Sequence, residues 1–114
     1  MRAVLLLFIF ATSSSAIAAD PQCSGVDNWA SNMAFVHLKN AGITNNDNVV
    51  WGQRKVVRLA SEKIGKDLYR QVHRVTFPQT DGSVIEVITV SDASQDECSM
   101  SDVDVFVVSQ HLGL

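Results

Sequence analysis

Two runs of strand-forming residues, Leu68 to Phe77 and Val84 to Val90, flank the polar stretch Pro78-Gln79-Thr80-Asp81-Gly82-Ser83. This is the pattern of a β-hairpin. A three-residue loop Thr80-Asp81-Gly82 puts glycine where a positive φ is required, which a residue without Cβ supplies at little cost. The register that follows pairs Phe77 with Ile85 and Val75 with Val87. Because side chains alternate along a strand, Val75, Phe77, Ile85 and Val87 share one face, and Val72, Arg74, Thr76, Glu86, Ile88 and Val90 share the other. Val84 to Val90 is apolar on both faces and so needs a second neighbour.

Upstream, Val26 to Ala41 carries apolar residues at Val26, Trp29, Ala30, Met33, Val36 or His37, and Ala41, close to a 3.6-residue period, which predicts a helix. Ser24 or Asp27 is placed to cap it, Lys39 suits the negative end of its dipole, and Gly42-Ile43 reads as a Schellman stop. From Val49 to Ile64 two periods compete. Val56, Ala60, Ile64 and Leu68 recur every four residues as in a helix, but Gly65 breaks the run and Val49-Val50-Trp51 favours strand. A strand from Gln53 to Ile64, turning at Gly65-Lys66-Asp67, sets Ile64 beside Leu68, Glu62 beside Arg70 and Val57 beside Val75. It puts Val57, Leu59 and Tyr69 on the hairpin's core face, and this agreement favours the strand. One cost is Arg58 opposite Arg74, a like-charge pair. Ser91 to Asp102 reads as a polar loop and Val103 to Ser109 as a last strand. The expected fold class is α+β: one N-terminal helix packed on a four-stranded antiparallel meander.

The first 18 residues change the compartment but not the fold. Arg2, the apolar run Ala3 to Ala11 and Ala16-Ile17-Ala18 have the layout of a signal peptide with a small-x-small cleavage site. Residues 19–114 then form a single domain, exported to a periplasm or secreted, with no membrane span left after cleavage. Export puts the two cysteines, Cys23 and Cys98, in an oxidising compartment, where a disulfide is expected. Such a bridge closes a loop of about 75 residues, and the chain-entropy model values it at about 4 kcal/mol.

The 114-residue chain has 9 Lys and Arg against 12 Asp and Glu, and the uneven distribution matters more than the balance. Arg54, Lys55, Arg58, Lys63, Lys66, Arg70 and Arg74 crowd one segment. Asp81, Glu86, Asp92, Asp96, Glu97, Asp102 and Asp104 follow with no base between them. Either the two segments neutralise each other across the fold or they polarise the surface and steer a charged partner. The acidic total argues against nucleic acid as that partner.

The order of one helix and four antiparallel strands over the whole of residues 19–114 is similar to that of cystatin-like folds. That resemblance implies a helix lying across the sheet. It does not bring cysteine-protease inhibition with it, because the Gln-x-Val-x-Gly loop is absent: Gln53-Arg54-Lys55-Val56-Val57 and Gln71-Val72-His73-Arg74-Val75 both lack the glycine.

No catalytic constellation emerges. His37, His73 and His111 fall in three separate elements, no Gly-x-Ser-x-Gly is present, and Asp92, Ser94 and Asp96 imitate a calcium loop only until Glu97 replaces its glycine. No cofactor or metal motif is present. The leading expectation is a non-catalytic binding protein of the inhibitor or immunity type. Its candidate contacts are Arg58, Arg70 and Arg74 on the sheet's second face, and Asp96, Glu97 and Asp102 on an acidic loop braced by Cys98. Two other readings stand beside it. One is a small-ligand binding protein or enzyme with Trp29, Trp51, Tyr69 and His73 lining a cavity between helix and sheet. The other is a homodimer or accessory subunit joined through the apolar and arginine face.

Overall fold

The structure is a computed structural model that describes Ile9 and residues 20–113; the expected signal peptide lies outside the described residues. Among the described residues one helix, α1 (Trp29–Asn40), precedes four strands, β1 (Lys55–Gly65), β2 (Leu68–Pro78), β3 (Val84–Ala93) and β4 (Asp104–Val108). The strands form one antiparallel sheet in the order β1-β2-β3-β4. This is the α+β class expected from the sequence.

The hairpin has the expected register, with Phe77 opposite Ile85 and Val75 opposite Val87. The Gln79 N–H donates to Ser83 O at 2.8 Å and the Gly82 N–H to Gln79 O at 3.0 Å, with Gly82 at φ 87°. The Ser83 hydroxyl and amide both donate to Asp81 Oδ1, and these bonds hold the Asp81 carboxyl below its ordinary pKa. The same register runs three residues further than the hydrophobic pattern, pairing Gln71 with Ser91, Arg70 with Asp92 and Tyr69 with Ala93. The expected polar loop from Ser91 is therefore strand as far as Ala93, where a cross-strand ion pair, Arg70 to Asp92 at 3.1 Å, replaces apolar contact.

The helix begins at Trp29 rather than Val26, because Gly25 to Asn28 closes a turn first (Asn28 N–H to Gly25 O, 3.0 Å). Its N-cap is Asn28, with no side-chain cap bond, rather than Ser24 or Asp27. Its stop is the expected Schellman pair, with the Ile43 N–H donating to Leu38 O and the Gly42 N–H to Lys39 O, and Gly42 at φ 72°. The buried face is Ala30, Ser31, Ala34 and Leu38. Val36 and His37 are exposed, so the stripe is rotated from the one the spacing predicts.

The strand expected over Gln53 to Ile64 is β1, Lys55–Gly65, with Gln53 in a 3-10 turn before it, and its register corrects the expected one. Ala60 to Lys63 pair as expected, with Glu62 opposite Arg70. Leu59 is an unpaired bulge residue, and N-terminal to it the pairing moves by one, to Arg58–His73, Val57–Arg74 and Val56–Val75. A slip of one residue exchanges the faces. Val56 is packed against the core, whereas Val57 and Leu59, expected there, are exposed. The Arg58–Arg74 opposition does not occur. A second irregularity at Ile64 leaves Gly65 opposite Leu68. The core is Ala34 and Leu38 of the helix, Val75, Phe77 and Val87 of the sheet, and Val49 of the connection. Val49 joins the sheet by a bridge to Gln79. A short 3-10 turn over Trp51–Gln53 follows it.

Candidate functional site

The strand registers sort the sheet into two faces with different cover. On the inner face, α1 lies over Val75, Phe77 and Val87, while the next positions along the strands are polar and buried: Gln71, His73, Thr89 and Ser91. Over these runs the segment Asp20 to Cys23, pinned by the disulfide from Cys23 to Cys98. The segment offers backbone carbonyls and the sheet offers N–H groups. Arg58 donates to Pro21 O at 2.8 Å and to Asp20 O at 3.4 Å, Gln71 Nε2 donates to Pro21 O and to Ser61 Oγ, and His73 Nε2 contacts Gln22 O at 3.2 Å. A carbonyl only accepts, so Nε2 carries the proton of the neutral ring. Burial pushes the His73 pKa below its ordinary value, opposed by the Gln22 carbonyl and aided by the nearby Arg58 charge. Gln71 Oε1, His73 Nδ1 and Thr89 Oγ1 have no hydrogen-bond partner among the described residues.

The outer face has no element over it among the described residues. Its rows, read across the sheet, are Lys55-Thr76-Glu86-Val108, Val57-Arg74-Ile88-Phe106, Ala60-Val72-Val90-Asp104 and Glu62-Arg70-Asp92. The two middle rows form an apolar floor in which Phe106 is 56% exposed. Arg74 reaches Glu86 at 3.7 Å and Arg70 reaches Asp92. Bonding to Asp92 raises the Arg70 pKa further above its ordinary value. The floor runs into a cleft of about 500 Å³ lined by Arg70, Val90, Ser91, Asp92, Ser101, Asp102 and Asp104. One arginine there stands among three carboxylates.

Of the residues singled out in the sequence, Arg70, Arg74 and Asp102 therefore lie on one side of the molecule. Arg58 does not: the bulge at Leu59 turns it to the inner face, where its guanidinium holds the N-terminal segment. Asp96 and Glu97 are exposed in the loop after β3. That loop is fixed by Cys98, by Ser94 N–H to Glu97 O at 2.7 Å, by Gln95 N–H to Asp67 Oδ1 at 3.0 Å and by the Trp29 indole N–H to Ser101 O at 2.9 Å. Asp92 and Asp104 were missed as site residues. Carrying the Phe77–Ile85 register down the strands would have found Asp92 beside Arg70, but a serine and an aspartate after Val90 look like the start of a loop.

The aromatic residues expected around a cavity are dispersed. Trp29 bonds to the loop after β3, whereas Trp51 packs edge-on against Phe35 with Arg54 over its ring. The core side chains occupy the space where α1 meets β2 and β3. No helix among the described residues is long and apolar enough to cross a membrane. No family model, curated protein or solved structure matches the chain.

Proposed function

We propose that this chain is an exported, non-catalytic binding protein of the inhibitor or immunity type, which grips another protein with the outer face of its sheet. The observation that carries the reading is that face: an apolar floor of Val57, Val72, Ile88, Val90 and Phe106 with Arg70 bonded to Asp92 and Arg74 3.7 Å from Glu86. Interfaces combine an apolar centre, arginine and a polar rim in this way, and side chains held before binding lose less entropy on contact. The cleft beside the floor gives the partner a chemistry. Asp92, Asp102 and Asp104 outnumber Arg70 there, which suits a Lys or Arg side chain projecting from the partner.

The braced loop with Asp96 and Glu97 extends the acidic surface and steers the same basic partner. A cystatin-like arrangement belongs to this reading, supported by a helix that precedes four strands in nearest-neighbour order. Cysteine-protease inhibition does not.

A photo-crosslinking side chain at Val72, used in an extract of the cell envelope, tests the reading. One protein with a basic contact surface is expected to be captured, and Asp102→Lys is expected to abolish capture while leaving the thermal midpoint unchanged. Equal capture from Lys39 on the exposed side of α1, or capture indifferent to Asp102→Lys, would sink it.

A further inference from the structure

The two edges of the sheet are built differently. At one edge, β1 carries Lys55, Arg58, Glu62 and Lys63, and bulges interrupt its pairing at Leu59 and Ile64. Charges and bulges on an edge strand block further strand pairing. At the other edge, β4 is Asp104-Val105-Phe106-Val107-Val108, regular in its pairing to β3 and without lysine, proline or a bulge. Two of its apolar side chains are exposed: Phe106 stands out on the outer face, and Val107, on the inner face, is 47% exposed, whereas Val105 packs against the core. The helix packs on β2 and β3 and leaves a groove of about 350 Å³ beside β4, lined by His37, Leu38, Ala41, Ile43, Val103 and Val105 among others.

We propose that β4 is a dimerisation edge on which a second copy of this chain pairs its own β4, antiparallel, about a twofold axis at Phe106. Among the described residues nothing pairs with the free edge of β4; a row of backbone N–H and C=O groups there needs a strand, and this strand is complementary to itself. Only a twofold axis at Phe106 pairs all five residues of β4, and so makes the most backbone hydrogen bonds. It sets Phe106 against the second copy's Phe106 on the outer face, and Val105 against the second copy's Val107 on the inner face.

The charges agree with this register. Asp104 meets Val108 of the second copy, and Asp102 meets Gln110 with His111 beside it, so no carboxylate opposes another. An axis at Asp104 would bring two carboxylates together. The inner-face contact continues the apolar groove, with Ile43, itself exposed, across the axis. The outcome is a continuous eight-stranded sheet with an isologous interface. The dimer shares Phe106, Asp102 and Asp104 with the outer-face reading but leaves the floor around Val72 and Val90 open, and it does not rest on that reading, since it is argued from the edge of the sheet.

Sedimentation velocity over a concentration series of the full chain tests it. A mass that doubles with concentration is expected, with Val107→Lys raising the dissociation constant by about tenfold or more. Because Val107→Lys acts near the core, Phe106→Cys provides a second, register-specific measurement. Directly opposed residues of antiparallel strands lie about 4.5–5.5 Å apart at Cα, within disulfide reach. Mild oxidation is therefore expected to give a covalent dimer through Cys at 106 and none through Val84→Cys at the hairpin end of β3, away from the axis. A chain monomeric throughout the series overturns the proposal and leaves the edge to a strand from a different protein. A dimer that survives Val107→Lys, or fails to cross-link at 106, overturns it equally.

Discussion

Along β2 and β3 the inner face changes character between Val75 and His73, and the cover changes with it. Val75, Phe77 and Val87 lie under the helix through Ala34 and Leu38. Gln71, His73, Thr89 and Ser91 lie towards a segment outside any helix or strand, Asp20 to Cys23, that offers carbonyl oxygens. A helix has used its own backbone groups and covers a surface by shape and apolar area, which suits valine and phenylalanine. A segment outside helix and strand has carbonyls to spare, which suits Arg58, Gln71 and His73 as donors. The two halves also differ in how firmly they hold. Burying each large apolar side chain contributes about 1.5–3 kcal/mol, whereas a net intramolecular hydrogen bond contributes about 0.5–1.5 kcal/mol, and a buried polar atom left unpaired subtracts from it. The helix-covered half carries the fold, and the disulfide compensates for the weaker cover of the other.

Loss of apolar packing under the helix is expected to cost the most. Phe77→Ala is expected to lower the unfolding free energy by about 3–5 kcal/mol, because the cavity adds to the lost transfer energy; urea titration measures it, and a loss below about 1 kcal/mol would place the core elsewhere. Next in size is the pin on the polar half. Replacing Cys23 and Cys98 together by serine is expected to cost about 2–5 kcal/mol. The pKa of His73, followed by NMR, should at the same time rise towards that of an ordinary histidine as Asp20 to Cys23 lifts away. An unchanged His73 titration would mean that the segment stays down without its bridge.

The third effect is pH dependence. His73 is held neutral in the folded chain, so the unfolded chain takes up a proton first as pH falls. Stability is therefore full above about pH 6.5, the ordinary histidine value, and declines as pH drops from there to the depressed folded value, below which this contribution levels off. The urea midpoint measured from pH 8 to pH 5 should show the decline, and His73→Gln should remove that component. The smallest effect sharpens the comparison most. Thr89→Val deletes a buried hydroxyl with no partner while keeping its shape, so stability is expected to stay within about 0.5 kcal/mol or to rise. A loss above about 1 kcal/mol would show that the hydroxyl is bonded in solution.

What was legible in the chain was what neighbours in sequence decide. Asp81-Gly82 sets the turn, the turn sets the register, and the register correctly separated Val75, Phe77, Ile85 and Val87 from Arg74, Ile88 and Val90. Gly42-Ile43 ended the helix as read, and the pair Cys23–Cys98 followed from there being two cysteines. The candidate site was legible only in part. Arg70 and Arg74 belong to the hairpin and inherited its correct register, whereas Arg58 depended on a bulge that no spacing announces, since one extra residue at Leu59 leaves the composition of the strand unchanged. The helix start moved because a turn tied to Cys23 took the residues before Asn28.

By itself, then, the order of residues determined the α+β class, the hairpin and the bridge, because turn geometry, side-chain alternation and the number of cysteines act over short range or leave no choice. Only the tertiary structure decided which face Arg58 takes, which segment covers the polar half of the sheet, and that β4 is the last strand of the sheet among the described residues. Those outcomes depend on where distant backbone groups come to rest. The carbonyls of Asp20, Pro21 and Gln22 become partners for Arg58, Gln71 and His73, which lie 37 to 51 positions further along the chain, only once the sheet and the disulfide have brought the two together.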